Sequence, residues 1–329
     1  MSSFPRSVAD ELGLRDSSIS AAPPIAIGLV GVGKIAKDQH LPALATNPAF
    51  QLAATASRHG GVDGLASFPD IERMIAGTPR LDAVSLCAPP SVRAAMARAA
   101  ISAGLAVMLE KPPGVTVSET TDLMASARRK SVTLFASWHS REAPAVEPAR
   151  QWLQQRRVTA VRVSWLEDVR VWHPGQEWIW QAGGFGVFDP GVNALSILTH
   201  ILPGNLVLTA ATLSFPRNRD TPIEAQVTMA YDHRATVELA FNFRYAGAPR
   251  WDIEIETTDG AIALTHGGAK LYILGTAIPL PASAEYPRLY ARFASLIRAG
   301  QSEVDLAPLQ LVADAFLCGR RIEVEPFSY

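Results

Sequence analysis

The chain has little cysteine, no block of one charge sign and no long hydrophobic run, and each shortage removes a class of function. Cys87 and Cys318 are the only cysteines in 329 residues. Two are too few for a disulfide framework, so a reducing compartment and a cytoplasmic location are expected. Cys87 reads as a small buried hydrophobe ending a strand, Cys318 as part of a late helix. Thirty Lys and Arg balance thirty-one Asp and Glu, for a formal net charge of −1. Without a basic stripe, nucleic acid is not an expected partner. The most apolar stretch, 187–202, is broken by Asp189, Asn193 and His200 and falls short of the ~20 apolar residues of a membrane span. Residues 1–24 are Ser-rich and interrupted by Arg6, Asp10, Glu11, Arg15 and Asp16. They lack the apolar core of a signal peptide and read as a flexible tail.

What is present is the composition of a globular protein, 48% hydrophobic and 19% charged, at a length that suits two domains. From Ile25 short apolar runs alternate with helical ones: strands at 25–30, 52–56, 83–87, 106–109 and 133–136, helices at 34–45, 71–76, 92–103 and 119–130. That rhythm predicts a parallel sheet covered on both faces. After about residue 140 the rhythm changes. A helix at 145–155, a strand at 160–165 and an amphipathic helix from Asp189 precede strands at 207–215, 223–231, 235–243, 251–257, 261–264 and 271–274. Consecutive strands predict an α+β domain over 141–329 with a large, mostly antiparallel sheet, open on one face. Helices at 286–298 and 307–320 close the chain, the first with Gly300 as its C-cap. The expected fold class is therefore α/β, a Rossmann domain over 25–140 followed by that α+β domain.

Gly31-Val32-Gly33-Lys34-Ile35-Ala36 matches G-x-G-x-x-A between the first strand and the first helix. Gly31 permits the turn, Gly33 lets backbone approach a pyrophosphate, and the helix N-terminus presents free N–H groups at Lys34 and Ile35. At the end of the second strand, where an acid would hold the adenosine ribose, stand Ser57 and Arg58. A hydroxyl and a guanidinium there favour NADP through its 2′-phosphate. The alternative is that Arg58 stacks on adenine and NAD serves as well. Asp189 and Asn193 are four apart and share a helix face. Asp189 followed by Pro190 also suits a plain helix cap with proline in the first turn.

Glu110-Lys111-Pro112 at a strand end and Gly183-Gly184-Phe185-Gly186-Val187-Phe188-Asp189 opening a helix resemble the Gfo/Idh/MocA oxidoreductases, in motif order and layout from Ile25 onward. The strings 33–42, Trp172-His173-Pro174-Gly175-Gln176 and Asp189-Pro190-Gly191-Val192-Asn193 are similar to a bacterial branch of that family that oxidises C1 of L-arabinose or D-galactose. The resemblance implies that Glu110 and Lys111 adjoin the coenzyme, that the Lys111–Pro112 bond is cis, and that Lys111 reaches the reacting hydroxyl. A lysine at the carboxyl end of a parallel strand also sits where ligands bind and can hold an alkoxide.

Most members carry His four residues after the Asp. Asn193 cannot take a proton, and the narrower branch also has Asn there. The roles that follow are Asp189 as general base, Lys111 as its electrostatic partner and Asn193 as an orienting group. Sugar recognition needs polar groups and an aromatic face. The resemblance points to Glu167 and His173, then His139, Trp172 and Trp251; Asp168 is equally an ion-pair partner of Arg170.

The expected activity is NAD(P)-dependent oxidation of L-arabinose or D-galactose at C1 to the aldonolactone, with no metal. Alternatives are a catalytically silent sugar-sensing regulator and an inositol-type secondary-alcohol dehydrogenase. The open sheet face predicts a homodimer.

Overall fold

The computed structural model describes residues 23–58 and 60–329. Most of the segment read as a flexible tail, 1–22, lies outside the described residues. Six strands, β1 (Ile25–Val30), β2 (Phe50–Ala56), β3 (Ala66–Phe68), β4 (Ala83–Leu86), β5 (Ala106–Glu110) and β6 (Leu134–Ser137), form an all-parallel sheet in the order β3-β2-β1-β4-β5-β6. This is the doubly wound order, whose ligand crevice lies at the carboxyl ends of β1 and β4, where the order reverses. Residues 34–45 are helical without a break. A π-helical stretch, Ala36–His40, runs into α1 (Leu41–Ala45), with Pro42 in its first turn. The remaining helices of this half are α2 (Ile71–Gly77), α3 (Pro90–Ser102) and α4 (Val117–Lys130). Thr116 caps α4, its Oγ1 accepting from Glu119 N (3.1 Å), and Glu119 Oε2 reaches back to accept from Val115 N (3.0 Å) just before the cap.

The second half contains α5 (Val146–Leu153), β7 (Val158–Leu166), the single turn α6 (Val169–Trp172) and α7 (Phe188–Ile201). Strands β8 (Leu206–Pro216), β9 (Glu224–Tyr231), β10 (Ala235–Asn242), β11 (Arg250–Thr257), β12 (Gly260–Thr265), β13 (Lys270–Ile273) and β14 (Thr276–Ile278) follow. Two helices, α8 (Glu285–Ala299) and α9 (Ala307–Cys318), and β15 (Arg320–Val324) end the chain. Nine strands make one sheet, β14-β13-β12-β11-β7-β10-β9-β8-β15, antiparallel except for β7 with β10 and β8 with β15. Alternation along β7 buries Val161, Val163 and Trp165 and leaves Arg162 exposed. Inward residues of the sheet pack with Val192, Leu195 and Leu198 of α7 and Leu309 and Val312 of α9. The outer face carries Arg162, Glu238 and Glu254 around a shallow concavity.

The differences from expectation are local. The short strands β3, β14 and β15 have too few residues to show a period and are added at sheet edges. Cys87 falls just past β4 and is only half-buried rather than a core residue. The segment read as one domain from 141 onward sends α8 back to the first sheet. There Leu289, Tyr290 and Phe293 pack with Ile27, Phe50 and Phe135, and the chain beyond it joins the β6 edge through Ala136 N to Glu303 O (3.0 Å). Gly300 caps α8 in the left-handed region at φ 62°, as its position predicts.

Phe293 is fully buried between Phe50 and Phe135, at ring-centroid separations of 6.0 and 5.9 Å. Phe293→Ala is expected to cost about 3–5 kcal/mol in urea unfolding, because the rings around it cannot collapse onto the space. A loss below about 1 kcal/mol, the scale of an exposed substitution, would show that α8 is not anchored there.

Candidate active site

The crevice at the carboxyl ends of the parallel strands is a cleft of about 420 Å³ reaching from Gly33, Lys34 and Ile35 through Cys87 and Ala88 to Lys111, His173 and Asp189. Gly31 sits at φ 89°, and a Cβ on it would lie 2.7 Å from Ala88 N. Both conformation and space therefore demand glycine. Gly33 lines the cleft, and a Cβ on it would meet nothing within 4 Å. The open space above the helix N-terminus is the cradle that a pyrophosphate fills, so the residues present fit a dinucleotide. Gly31 N donates to Ala56 O (2.8 Å), which places Ser57 and the exposed Arg58 beside this turn.

At the other end the two halves of the chain meet. Lys111 follows β5, and its bond to Pro112 is cis. Its Nζ donates to the Asp189 main-chain oxygen at 3.0 Å and to Asp189 Oδ1 at 3.2 Å. Asp189 is in the first turn of α7 and is buried, but it does not cap it. The cap position is Val187, with no side-chain cap bond. The plain capping role is thereby excluded, and the carboxylate is turned into the cleft instead. Asn193 stands one turn on, half-buried.

Around this pair, the irregular segment after β7 brings up His173, whose Nδ1 is 3.7 Å from Asp189 Oδ2 and whose Nε2 is 3.0 Å from Glu167 Oε1. Glu167 is buried, and its Oε2 accepts from Trp251 Nε1 at 2.7 Å. Each oxygen of Glu167 thus orients one ring of the site. Burial opposes charge on His173, but the hydrogen bond to Glu167 and the charges of Asp189 and Glu167 outweigh it and raise its pKa. Trp172, partly exposed at the mouth, meets Trp251 edge-on at 4.7 Å. Asp168 is held by Arg170 through 2.9 and 2.8 Å contacts. His139 is not in this cleft. It pairs with Glu285 at 2.6 Å, stacks on Tyr286, and lines a neighbouring hollow that shares Ile35, Asp38 and Gln39 with the cleft.

The pattern of the Gfo/Idh/MocA oxidoreductases, with an NAD-binding Rossmann fold, matches residues 25–137. Galactose 1-dehydrogenase of Pseudomonas fluorescens is 41% identical over 92% of this chain and 99% of its own. The chain belongs to the Gfo/Idh/MocA family. A crystal structure of D-galactose-1-dehydrogenase from Rhizobium etli is 54% identical, with a TM-score of 0.89 over 93% of this chain and 98% of that one. A 3-ketoreductase from Actinomadura kijaniata, solved with NADP, shares the fold at 20% identity, with a TM-score of 0.80 over 92% of this chain and 99% of that one.

Behind the Lys111-Pro112 segment lies a buried polar cluster that sequence reading missed. Glu110 lines the cleft, but its carboxylate is engaged on the protein side. Oε1 accepts from Tyr286 OH (2.7 Å) and lies 3.1 Å from His40 Nε2, while Oε2 accepts from Lys111 N (2.9 Å). His40 Nδ1 is 2.8 Å from Tyr290 OH. A signal existed: His40 falls at i+4 from Ala36 and i−4 from Leu44, on the buried side of its helix. Burial pushes Glu110 up, yet the bond to His40, its charge and that of His139, and the bond from Tyr286 more than reverse this and hold the carboxyl at about 2.

Its folded value lies below the ordinary 4.5, so its stabilisation is present above that pH and is lost as pH falls towards about 2. The difference is worth on the order of 3 kcal/mol. Urea unfolding of Glu110→Gln should accordingly show a shallower acid limb than the unsubstituted protein, whatever its stability at neutral pH. Parallel limbs would mean that Glu110 is not held ionised.

Proposed function

We propose that the protein is an NAD(P)-dependent aldose 1-dehydrogenase that oxidises C1 of D-galactose and L-arabinose to the aldonolactone. The observation that carries this reading is the pairing of Lys111 with Asp189 in a cleft floored by an open glycine turn. The similarity to two galactose 1-dehydrogenases along nearly the whole chain supports it.

In this reading Gly31, Gly33, Lys34 and Ile35 hold the pyrophosphate, and Ser57 and Arg58 the adenosine end. Glu110 and Lys111 border the nicotinamide, which when bound takes the hydride. Asp189 accepts the O1 proton. Lys111 Nζ and the His173 ring stand beside Asp189, where they orient its carboxylate and stabilise the oxyanion as the proton leaves. Glu167 holds the His173 and Trp251 rings in place. The Asn193 amide and His173 read ring hydroxyls, and Trp172 and Trp251 face the C–H side of the ring. His139 acts from behind, through Glu285 and Tyr286. Two copies would associate through the open face of the nine-stranded sheet.

A spectrophotometric panel of free aldoses with both coenzymes tests the reading. D-Galactose and L-arabinose share the configuration at C2, C3 and C4, so both should react. D-Glucose, the C4 epimer of galactose, leaves a buried partner unpaired and should be poorer by roughly tenfold to a hundredfold in kcat/KM. Asp189→Ala should lower kcat on galactose by ~100-fold or more while still binding coenzyme. Turnover of a galactose methylated at O1, or near-normal kcat without Asp189, overturns the assignment.

Arg58 carries the coenzyme preference in this proposal. Arg58→Ala should weaken NADP by ~1.5–3 kcal/mol more than NAD, because only NADP loses a charge-assisted contact. Fluorescence titration with each coenzyme measures it; equal losses for both would mean that Arg58 does not read the 2′-phosphate.

A further inference from the structure

Arg93 stands in the first turn of α3, on the face that also buries Ala97 and Ala100. A guanidinium is an unusual member of such a face. Only 2% of the residue is exposed, and its hydrogen bonds go to main-chain carbonyls. Nε and Nη2 donate to Ala88 O at 3.1 and 2.7 Å. Nη1 donates to Glu110 O at 2.5 Å and also to Pro112 O. Ala88 lies in the loop from β4 to α3 and lines the cleft. Glu110 and Pro112 flank Lys111 on either side. One planar fork therefore ties together the two strand ends that border the proposed nicotinamide position, and closes the arc of backbone that carries the lysine.

We infer that Arg93 is a positioning residue for Lys111, setting where the ammonium stands relative to Asp189. Lys111 leaves the strand through a Lys-Pro junction that no sheet ladder extends, so its direction has to come from other bonds. On one side Glu110 Oε2 accepts the Lys111 N–H; on the other Arg93 holds the carbonyls before and after it. With both ends fixed, Nζ rests on the Asp189 main-chain oxygen and carboxylate. A lysine at position 93 would keep the charge but lose the fork, because an ammonium is a compact point charge that cannot bridge the same three carbonyls in one plane. Burial makes this cation costly, and the nearby charges of Glu110 and Asp189 offset part of that cost. Helical spacing makes the residue legible in the sequence: Arg93, Ala97 and Ala100 recur at i, i+4 and i+7, which puts a charge on a buried stripe.

The effect on turnover rests on the dehydrogenase reading; the effect on Lys111 itself does not. Competitive acetylation of the protein without substrate, read peptide by peptide by mass spectrometry, compares Lys111 with the exposed Lys130. Arg93→Lys is expected to raise the relative reactivity of Lys111 by about threefold or more, as its hold on Asp189 loosens. On galactose the same variant should lose ~100-fold in kcat, the scale of a displaced reacting group, with coenzyme affinity kept to within about threefold. Arg93→Ala should regain turnover on addition of guanidinium. If that variant does not fold, the lysine variant decides. Unchanged Lys111 reactivity in Arg93→Lys, or a lowered Tm with kcat intact, overturns the inference. If the unsubstituted protein turns over no aldose, the functional reading falls, and the acetylation comparison still decides the role of Arg93.

Discussion

The contact between Lys111 and Asp189 crosses the junction of two sheets, and the other parts of the site depend on that junction. One partner hangs from the carboxyl end of a parallel strand, the other from the first turn of a helix that packs on the second sheet. Neither half of the chain brings these groups together by itself. An ion pair with so little exposure, 16% for the lysine side chain and 5% for the aspartate, is destabilising unless its remaining valences are met. His173 Nδ1 stands 3.7 Å from the second Asp189 oxygen, an electrostatic contact rather than a hydrogen bond, and His173 in turn leans on Glu167. The arrangement therefore extends inward from one contact through alternating basic and acidic side chains.

A second chain of the same kind lies behind it. Glu110 joins the Lys111 backbone to His40 and Tyr286, and through His40 to Tyr290; those tyrosines arrive on α8, which follows β14 in sequence and returns to the first sheet. The coenzyme-side helix, the Lys-Pro segment and α8 are thus coupled through one carboxylate. Buried carboxylates and imidazoles of this kind are costly when partly satisfied and rigidifying when fully satisfied. Here the cluster is satisfied, so it holds the strand end from which Lys111 emerges.

Much of this was legible beforehand. The glycine turn could be read because its position between strand and helix carries its mechanism, and the parallel sheet because apolar runs alternate with helical ones. The role of Asp189 could not be separated from a capping role by spacing, since both put Asp before Pro at a helix start; only the observed helix start at Phe188 separates them. The resemblance names Glu167 as a sugar-binding residue; in the structure its two oxygens hold His173 and Trp251. Its residue type announced a polar partner without saying which. The resemblance places His139 among the sugar-binding residues, but Glu285, 146 residues later in the chain, draws it to the adjoining hollow.

Local pattern, then, determined the order of elements, the two-sheet architecture, the glycine cradle and the cap at Gly300, while the candidates Lys111 and Asp189 came from the family resemblance. Those features depend on neighbours a few residues apart, and periodicity and turn chemistry report such neighbours directly. Tertiary structure alone decided which carboxylate faces the lysine, which one orients the histidine, that α8 crosses back to the first sheet, and which distant groups the buried Arg93 and His40 bind. Each of these is a contact between residues far apart in the chain, set by packing of the two sheets and by the need of every buried charge for a partner. Such contacts leave no fixed spacing to read.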